Sequence, residues 1–446
     1  MSELIISVSG LRGVVGDSLT PEIAVRYACA FEAGLGDGPI VIGRDGRVSG
    51  PGLSAAVCAG LVSSGRDVID VGVAATPTLG VLVRHLRASG GIQISASHNP
   101  REYNGMKLFG PDGRVIPAEV GRKVNERFQC GQEGREVAAG GTLTELNDTT
   151  TAHCELIESI VDVLRIRRRR FKVILDANHG SGSLLGRRLL EQLGCDFEIL
   201  GPDPDGEFDH PPEPIAENLT GVLDRVKQFA ADIGFCQDPD ADRLAVIDES
   251  GRYPGEEYTP AMCIEHALRQ RKGPVVTNCS SSRMAEDIAE RYGVEFFRSA
   301  VGEANVCDSM IDRDAVIGGE GNGGIIDPRV GYVRDSFVGM ALLLDAMAER
   351  DAAISTLADE LPKYAIVKIK LPIQRERLPE ILVSLKTQFA DAQFSQLDGL
   401  RLDWPDKWML VRASNTEPTI RVIAEARDHA EASRIAAEAA SLFGRA

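Results

Sequence analysis

The sequence predicts an α/β protein of repeated units with mostly parallel or mixed sheets, closed by a small C-terminal sheet with helices. Three observations predict it. A chain of 446 residues is too long for a single core, so three or four domains are expected. One pattern recurs along it: a short β-branched run, a loop rich in Gly, Ser, Asn or Asp, then a helical stretch. From about Tyr364 that pattern gives way to alternation, as in Ile366-Val367-Lys368-Ile369-Lys370.

The first round runs through Ile40-Val41-Ile42 and Val68-Ile69-Asp70-Val71 to Ile92-Gln93-Ile94, and ends in Ser95-Ala96-Ser97-His98-Asn99-Pro100. A second leads from Val173-Ile174-Leu175 to Ile233-Gly234-Phe235-Cys236 and the loop Asp238-Pro239-Asp240-Ala241-Asp242-Arg243. The third passes through Val275-Val276-Thr277, Val294-Glu295-Phe296-Phe297 and Val316-Ile317 before Gly318-Gly319-Glu320-Gly321-Asn322-Gly323-Gly324. Ligands in such sheets sit beyond the carboxyl ends of strands. Three like units around one cleft would therefore bring these loops together. The last segment carries a turn at Asp398-Gly399, Trp408-Met409-Leu410-Val411, Thr419-Ile420-Arg421-Val422-Ile423 and an Ala-rich helix. The boundaries expected are 1–150, 151–252, 253–363 and 364–446. The run Arg165-Ile166-Arg167-Arg168-Arg169-Arg170 reads as a solvated domain junction.

Composition narrows the function. Lys plus Arg is 49 against 66 Asp plus Glu, a net charge of -17, which repels nucleic acid and anionic membranes. Aromatics at 5% leave little for base stacking. A phosphorylated substrate could bind only where basic residues gather locally. Met1-Ser2-Glu3-Leu4-Ile5-Ile6 does not read as a signal peptide, and no apolar run reaches spanning length. The nine cysteines are scattered without a Cys-x-x-Cys pair, as expected of free thiols in a reducing cytoplasm.

Four loops carry the chemistry. In Asp238-Pro239-Asp240-Ala241-Asp242-Arg243, period-two spacing on an extended segment would set three carboxylates on one side. Hard oxygen donors without His or Cys suit a hard cation, Mg²⁺ above all, and Arg243 adds a planar cation suited to phosphate. Ser97, at a tight strand exit, can accept and return a phosphoryl group. Adjacent side chains on an extended segment face apart, so Ser97 and His98 make a poor hydrolase pair. Glu320 and Asn322, among many glycines, suit sugar hydroxyls. Arg412-Ala413-Ser414-Asn415-Thr416-Glu417-Pro418-Thr419, with Arg421 beyond, gathers donors for a phosphate dianion.

These four loops in this order closely resemble the α-D-phosphohexomutase superfamily, from Ser9-Gly10-Leu11-Arg12-Gly13 to Arg421. The resemblance implies three related α/β domains with mixed sheets and a smaller α+β C-terminal domain around a central cleft. It implies a phosphoserine at Ser97 and Mg²⁺ held by Asp238, Asp240, Asp242 and the Ser97 phosphate. Arg12 and Arg243 would face the reacting phosphoryl group, His98 would belong to the same catalytic set, and Lys107 would act as general acid/base. Glu320 and Asn322 would bind the sugar, and Arg412, Ser414, Asn415, Thr416 and Arg421 the non-reacting phosphate. The substrate would be a hexose phosphate, converted between C6 and C1 phosphates through a 1,6-bisphosphate by a monomer or homodimer. Many relatives carry Ser at Asn322 and His at Gly324; the form here looks like the archaeal-type branch. Glu303, where some relatives carry His, could favour the ammonium of glucosamine phosphate over glucose or mannose phosphates. Rival readings are an aspartyl-phosphate phosphatase using Asp238 and a non-catalytic sugar-phosphate binder.

Overall fold

The computed structural model describes residues 3–131, 140–372, 377–413 and 419–444. Four sheets follow one another along the chain. The first has seven strands in the order Ile5–Ser7, Gly10–Val14, Tyr103–Phe109, Gly90–Ile94, Ile40–Arg44, Val68–Val73, Leu143–Glu145. Its last four are mutually parallel; the first three join antiparallel. The second has the order Leu244–Asp248, Ile233–Gln237, Lys172–Asp176, Asp196–Leu200, with only Leu244–Asp248 antiparallel. The third repeats this arrangement as Phe296–Ser299, Val275–Asn278, Ile317–Glu320, Gly324–Ile326, with Gly324–Ile326 antiparallel. The fold is thus the predicted α/β architecture with mixed sheets.

In all three sheets the chemistry-bearing loop follows a parallel strand and hands over to an antiparallel neighbour. Residues 95–102 join Gly90–Ile94 to Tyr103–Phe109, 238–243 join Ile233–Gln237 to Leu244–Asp248, and 321–323 join Ile317–Glu320 to Gly324–Ile326. A parallel partner requires a long crossover, whereas an antiparallel one allows a short connection. The loop is therefore compact and pinned at both ends.

The fourth sheet is antiparallel throughout: Ala365–Pro372, Thr419–Ala426, Trp408–Ala413, Leu400–Asp403, Gln393–Ser395. Helices Leu378–Gln388 and His429–Gly444 supply residues to its own apolar cluster, with Leu385, Met409, Val422 and Ala436 fully buried.

The second and third units share one core. Phe235 and Leu244 of the second sheet and Ile325 of the third belong to a single cluster with Phe337, Leu342 and Leu344. Those last three lie on helix Ser336–Arg350, which is apolar around most of its surface, as a helix packed between layers must be. Asp335 caps it, its Oδ1 accepting from Phe337 N and Val338 N at 2.9 and 3.1 Å. The basic run at 165–170 also stitches these units together. Arg165 Nη2 donates to the buried Asp345 of this helix at 2.7 Å, and Arg169 pairs with Asp351 beyond its end. Among the described residues, no helix is long and apolar enough to cross a membrane.

Separate cores imply separate melting. Calorimetry should resolve residues 365–444 as a transition distinct from the joint transition of the second and third units. Phe337→Ala should shift the joint one, at a cost of about 3–5 kcal/mol, and leave the other in place.

Candidate active site

Ser97 sits at the exit of Gly90–Ile94, with φ of +50°. A non-glycine residue there is strained and needs support from its surroundings. Arg47 provides much of it. Its guanidinium, 1% exposed, donates to the carbonyls of Ser97, Asn99, Pro100 and Tyr103 at 2.6, 2.6, 2.7 and 3.0 Å. Asp45 holds Arg47 Nε at 3.1 Å and accepts from Ser95 Oγ at 2.6 Å, while Ser95 Oγ accepts from Ser97 N at 2.9 Å. Arg47 has no role assigned from the sequence. An Asp-x-Arg pair just after a buried strand was the available signal.

The left-handed turn at Ser97 alters one expectation. The segment is not extended there, so His98 Nδ1 lies 3.4 Å from Ser97 Oγ instead of on the opposite face. No Ser-His-Asp chain results, because Ser97 Oγ donates to Asp238 Oδ2 at 2.9 Å. The cation of Arg243, then burial, holds His98 well below its ordinary pKa, so the imidazole is neutral near pH 7.

Asp238, Asp240 and Asp242 also converge by a different route from the extended spacing predicted. The loop is a turn, with Ala241 N donating to Asp238 O at 2.8 Å and Ala241 at φ +55°. One oxygen from each carboxylate falls within 4.8 Å of the others, and all three side chains are buried. Asp240 Oδ2 accepts from Thr76 Oγ1 at 2.6 Å. Asp242 Oδ2 accepts from Lys107 Nζ at 2.7 Å and Arg334 Nη2 at 2.6 Å. The other oxygens, Asp240 Oδ1 and Asp242 Oδ1, are buried with no hydrogen-bond partner among the described residues. Two orphaned carboxylate oxygens in an all-oxygen donor set fit a hard divalent cation.

The charges divide unevenly. Burial, then Asp240 and Asp242, push Asp238 well above the usual carboxylate range. Burial opposes ionisation of Asp242 too, yet Arg334, Lys107 and Arg243 together hold it far below that range. Burial likewise works against the Lys107 ammonium and is outweighed by Asp242, Asp240 and Glu303, so Lys107 is held above its ordinary pKa. Lys107 lies on Tyr103–Phe109, in register with Gly10, and Arg12 lies two residues further along the same neighbouring strand. Gly10 is obligatory: its φ is +154°, and a Cβ would fall 1.9 Å from Met106 O.

Above this cluster opens a cleft of about 770 Å³, lined from all four sheets by Arg12, His98, Arg243, Glu320, Asn322, Lys368, Lys370, Arg412 and Arg421 among others. That size suits a small polar ligand. Glu320 is locked in place: Oε1 accepts from Asn278 Nδ2 at 2.7 Å and Gly302 N at 3.1 Å, and Oε2 from Arg334 Nη1 at 2.8 Å. Asn322 accepts from Gly324 N at 3.3 Å. On the fourth sheet Arg412 pairs in register with Arg421, and Arg421 with Lys370. Like charges placed directly opposite destabilise a sheet, so a row of three cations facing a cleft is the mark of an anion site. Asp398 Oδ2 lies 2.9 Å from Arg412 Nε. Ser414, Asn415 and Thr416 lie outside the described residues. The sequence reading missed Lys370, Arg334 and Thr76. Thr76 opens the helix Thr76–His85, and only tertiary packing sets it against Asp240.

Glu303 does not face the cleft as an amino-sugar partner would. It is buried, accepts from Arg334 N at 2.8 Å, and lies 4.0 Å from Lys107 Nζ and 3.7 Å from Arg334 Nε.

The chain matches the phosphoglucomutase/phosphomannomutase family in four consecutive parts: alpha/beta/alpha domain I over residues 4–135, domain II over 151–251, domain III over 256–364 and the C-terminal domain over 369–442. A phosphoglucomutase/phosphomannomutase of Thermococcus kodakarensis is 38% identical over 95% of this chain and 94% of its own length. The chain belongs to the phosphoglucomutase/phosphomannomutase family. It is a phosphohexomutase by that membership. A Methanopyrus kandleri protein named "Probable phosphoglucosamine mutase" is 34% identical, covering 95% of this chain and 94% of its own. A crystal structure of a phosphoglucomutase/phosphomannomutase family protein from Burkholderia thailandensis superposes with a TM-score of 0.84 at 29% identity, over 97% of this chain and 96% of that one.

Arg47 is expected to matter to a phosphohexomutase through the loop that carries Ser97. Arg47→Met should lower kcat by about a hundredfold with little change in KM, in steady-state assays on protein whose melting confirms folding.

Proposed function

We propose that this phosphohexomutase interconverts glucosamine 6-phosphate and glucosamine 1-phosphate through phospho-Ser97 and a 1,6-bisphosphate. The observation that carries the mechanism is the 2.9 Å hydrogen bond from Ser97 Oγ to Asp238 Oδ2, joining the first unit's nucleophile to the second unit's carboxylate cluster. The sugar's free hydroxyl bonds to phosphorus as the bond to Ser97 Oγ breaks. The bisphosphate turns around in the cleft, and its other phosphoryl group returns to Ser97. A cation held by the aspartates would offset the charge of Asp242 and Asp240 that keeps Lys107 protonated. Lys107 is then able to give up its own proton and exchange one with the sugar hydroxyl as acid/base. The cationic row Lys370, Arg421, Arg412 holds the non-reacting phosphate whichever carbon bears it. Arg12 and Arg243 line the cleft beside His98, suited to the charge of the group in transfer. Asp238, Asp240 and Asp242 would hold Mg²⁺, which when bound offsets charge on that group. Nine cysteines without a disulfide among the described residues suit the reducing cytoplasm.

For the sugar, half-exposed Glu213 lines the cleft and offers an ammonium a counter-charge, whereas Glu256 and Glu320 there are paired with Lys368 and Arg334 and burial holds Glu257 well above the usual carboxylate range. Glu303 no longer supports that choice, because Lys107 and Arg334 engage it. Its engagement, with the name of the Thermococcus relative, favours glucose and mannose phosphates as the second reading.

The deciding assay offers glucosamine, glucose and mannose phosphates with Mg²⁺ and catalytic hexose 1,6-bisphosphate. A rate highest on glucosamine phosphate and abolished in Ser97→Ala is expected. Higher rates on glucose or mannose phosphate would overturn the sugar, and activity surviving in Ser97→Ala the mechanism. Asp240→Asn should weaken Mg²⁺ binding by at least about tenfold in titration calorimetry, with activity falling in parallel.

A further inference from the structure

Gly324 follows the sugar loop without needing glycine's conformational freedom, since its φ is not among the positive ones. It answers instead to a neighbour: a Cβ there would lie 2.4 Å from Arg334 Cδ and 2.9 Å from Cγ. The missing side chain is the space in which Arg334 lies.

From that space Arg334 joins two loops that belong to different sheets. Nη2 donates to Asp242 Oδ2 at 2.6 Å, and Nη1 to Glu320 Oε2 at 2.8 Å. Its backbone is anchored on both sides. Arg334 N donates to Glu303 Oε1 at 2.8 Å, and neighbouring Asp335 meets the buried His153 Nε2 at 2.7 Å. His153 in turn lies 3.0 Å from Thr78 Oγ1 of the first unit. Arg334 is buried and is not part of the cleft lining, so it acts on ligands through Asp242 and Glu320.

We propose that Arg334 is a positioning residue that couples the two ligand sites: its guanidinium competes with a divalent cation for the charge of Asp242 while aiming Glu320 at the sugar. The inference rests on reading the three aspartates as the cation site and Glu320 as the sugar ligand. Its consequence is a pair of effects of opposite sign. Asp242 Oδ2 already carries Lys107 at 2.7 Å, so without Arg334 it stays oriented while the site becomes more negative. Among the described residues, Glu320 keeps Asn278 and Gly302 as donors to Oε1 and loses Arg334 as its donor to Oε2. A purely structural arginine would weaken both sites or neither.

The test uses the full chain, with Mn²⁺ titration and steady-state kinetics on sugar phosphate at saturating Mg²⁺. Arg334→Met should lower the Mn²⁺ Kd by about tenfold and raise the sugar-phosphate KM by about tenfold, with a smaller change in kcat. Arg334→Lys should return the Mn²⁺ affinity toward wild type but not the KM, since an ammonium cannot span both carboxylates as a guanidinium does. Gly324→Ala, which crowds Arg334 without removing its charge, should raise KM as well, and carries the test if Arg334→Met fails to fold. Unchanged or weaker Mn²⁺ binding in Arg334→Met, or an unchanged KM in either variant, overturns the proposal. If the wild type does not bind Mn²⁺, the cation reading itself falls and this inference with it.

Discussion

Three carboxylates buried within 4.8 Å of one another repel each other strongly in a poorly polarisable setting, and much of the molecule is arranged to offset that repulsion. No single loop can supply the cations required. Lys107 comes from the first sheet, Arg243 from the loop itself, and Arg334 from the approach to the helix that the second and third units share. Thr76, from the first unit, adds a hydroxyl to Asp240 and a backbone N–H to its carbonyl at 2.9 Å. The units are therefore locked together at the point where their charges are most concentrated.

The same constraint explains the rigidity of the surroundings. Ser97 and Ala241 both adopt left-handed backbone conformations, one in each of the loops that meet. Such conformations persist only where neighbours over-determine them. Arg47 does so for Ser97 through four carbonyls, and Phe208 of the second unit covers that guanidinium, its ring centroid 5.2 Å from Cζ. For the aspartate loop, Ser181 N and Oγ both donate to Pro239 O at 2.9 Å, and Ser336 Oγ donates to Ala241 O at 2.7 Å. Binding energy of a phosphorylated sugar then need not be used to assemble the site.

The fourth sheet has its own main core and shares only a small cluster, Trp408, Leu410 and Ile423 against Cys279, with the third unit. It contributes a row of cations rather than a reacting group, and it meets the third unit through specific contacts. Arg401 donates to Cys279 O at 2.6 Å, Val301 N to Asp398 at 3.1 Å, and Lys368 pairs with Glu256. Asp398 links Arg412 and the Val301 backbone, so the cationic row is tied to the third unit. A unit with its own main core, joined by polar contacts and one small apolar cluster, is suited to move against its neighbours.

Read as sequence, the chain determined its alternation of strands and helices and the position of each chemistry-bearing loop at a strand end, and it offered Ser97, Asp238, Asp240, Asp242, Glu320 and Arg412 as candidates for the site. These follow from local rules: β-branched runs, turn-forming residues and the donor types each ligand requires. Tertiary structure alone decided how those residues face one another. The Ser97–His98 approach and the turn that gathers the aspartates depend on backbone conformations that neighbours from distant segments enforce. Arg47, Arg334 and Thr76 look ordinary in sequence because a buried charge or hydroxyl takes its role from its partners, and those partners lie from two to more than a hundred and sixty residues away. Glu303 shows the limit most plainly. Its chemistry suggested a ligand for an amino sugar, but burial beside Lys107 and Arg334 engages that charge within the protein.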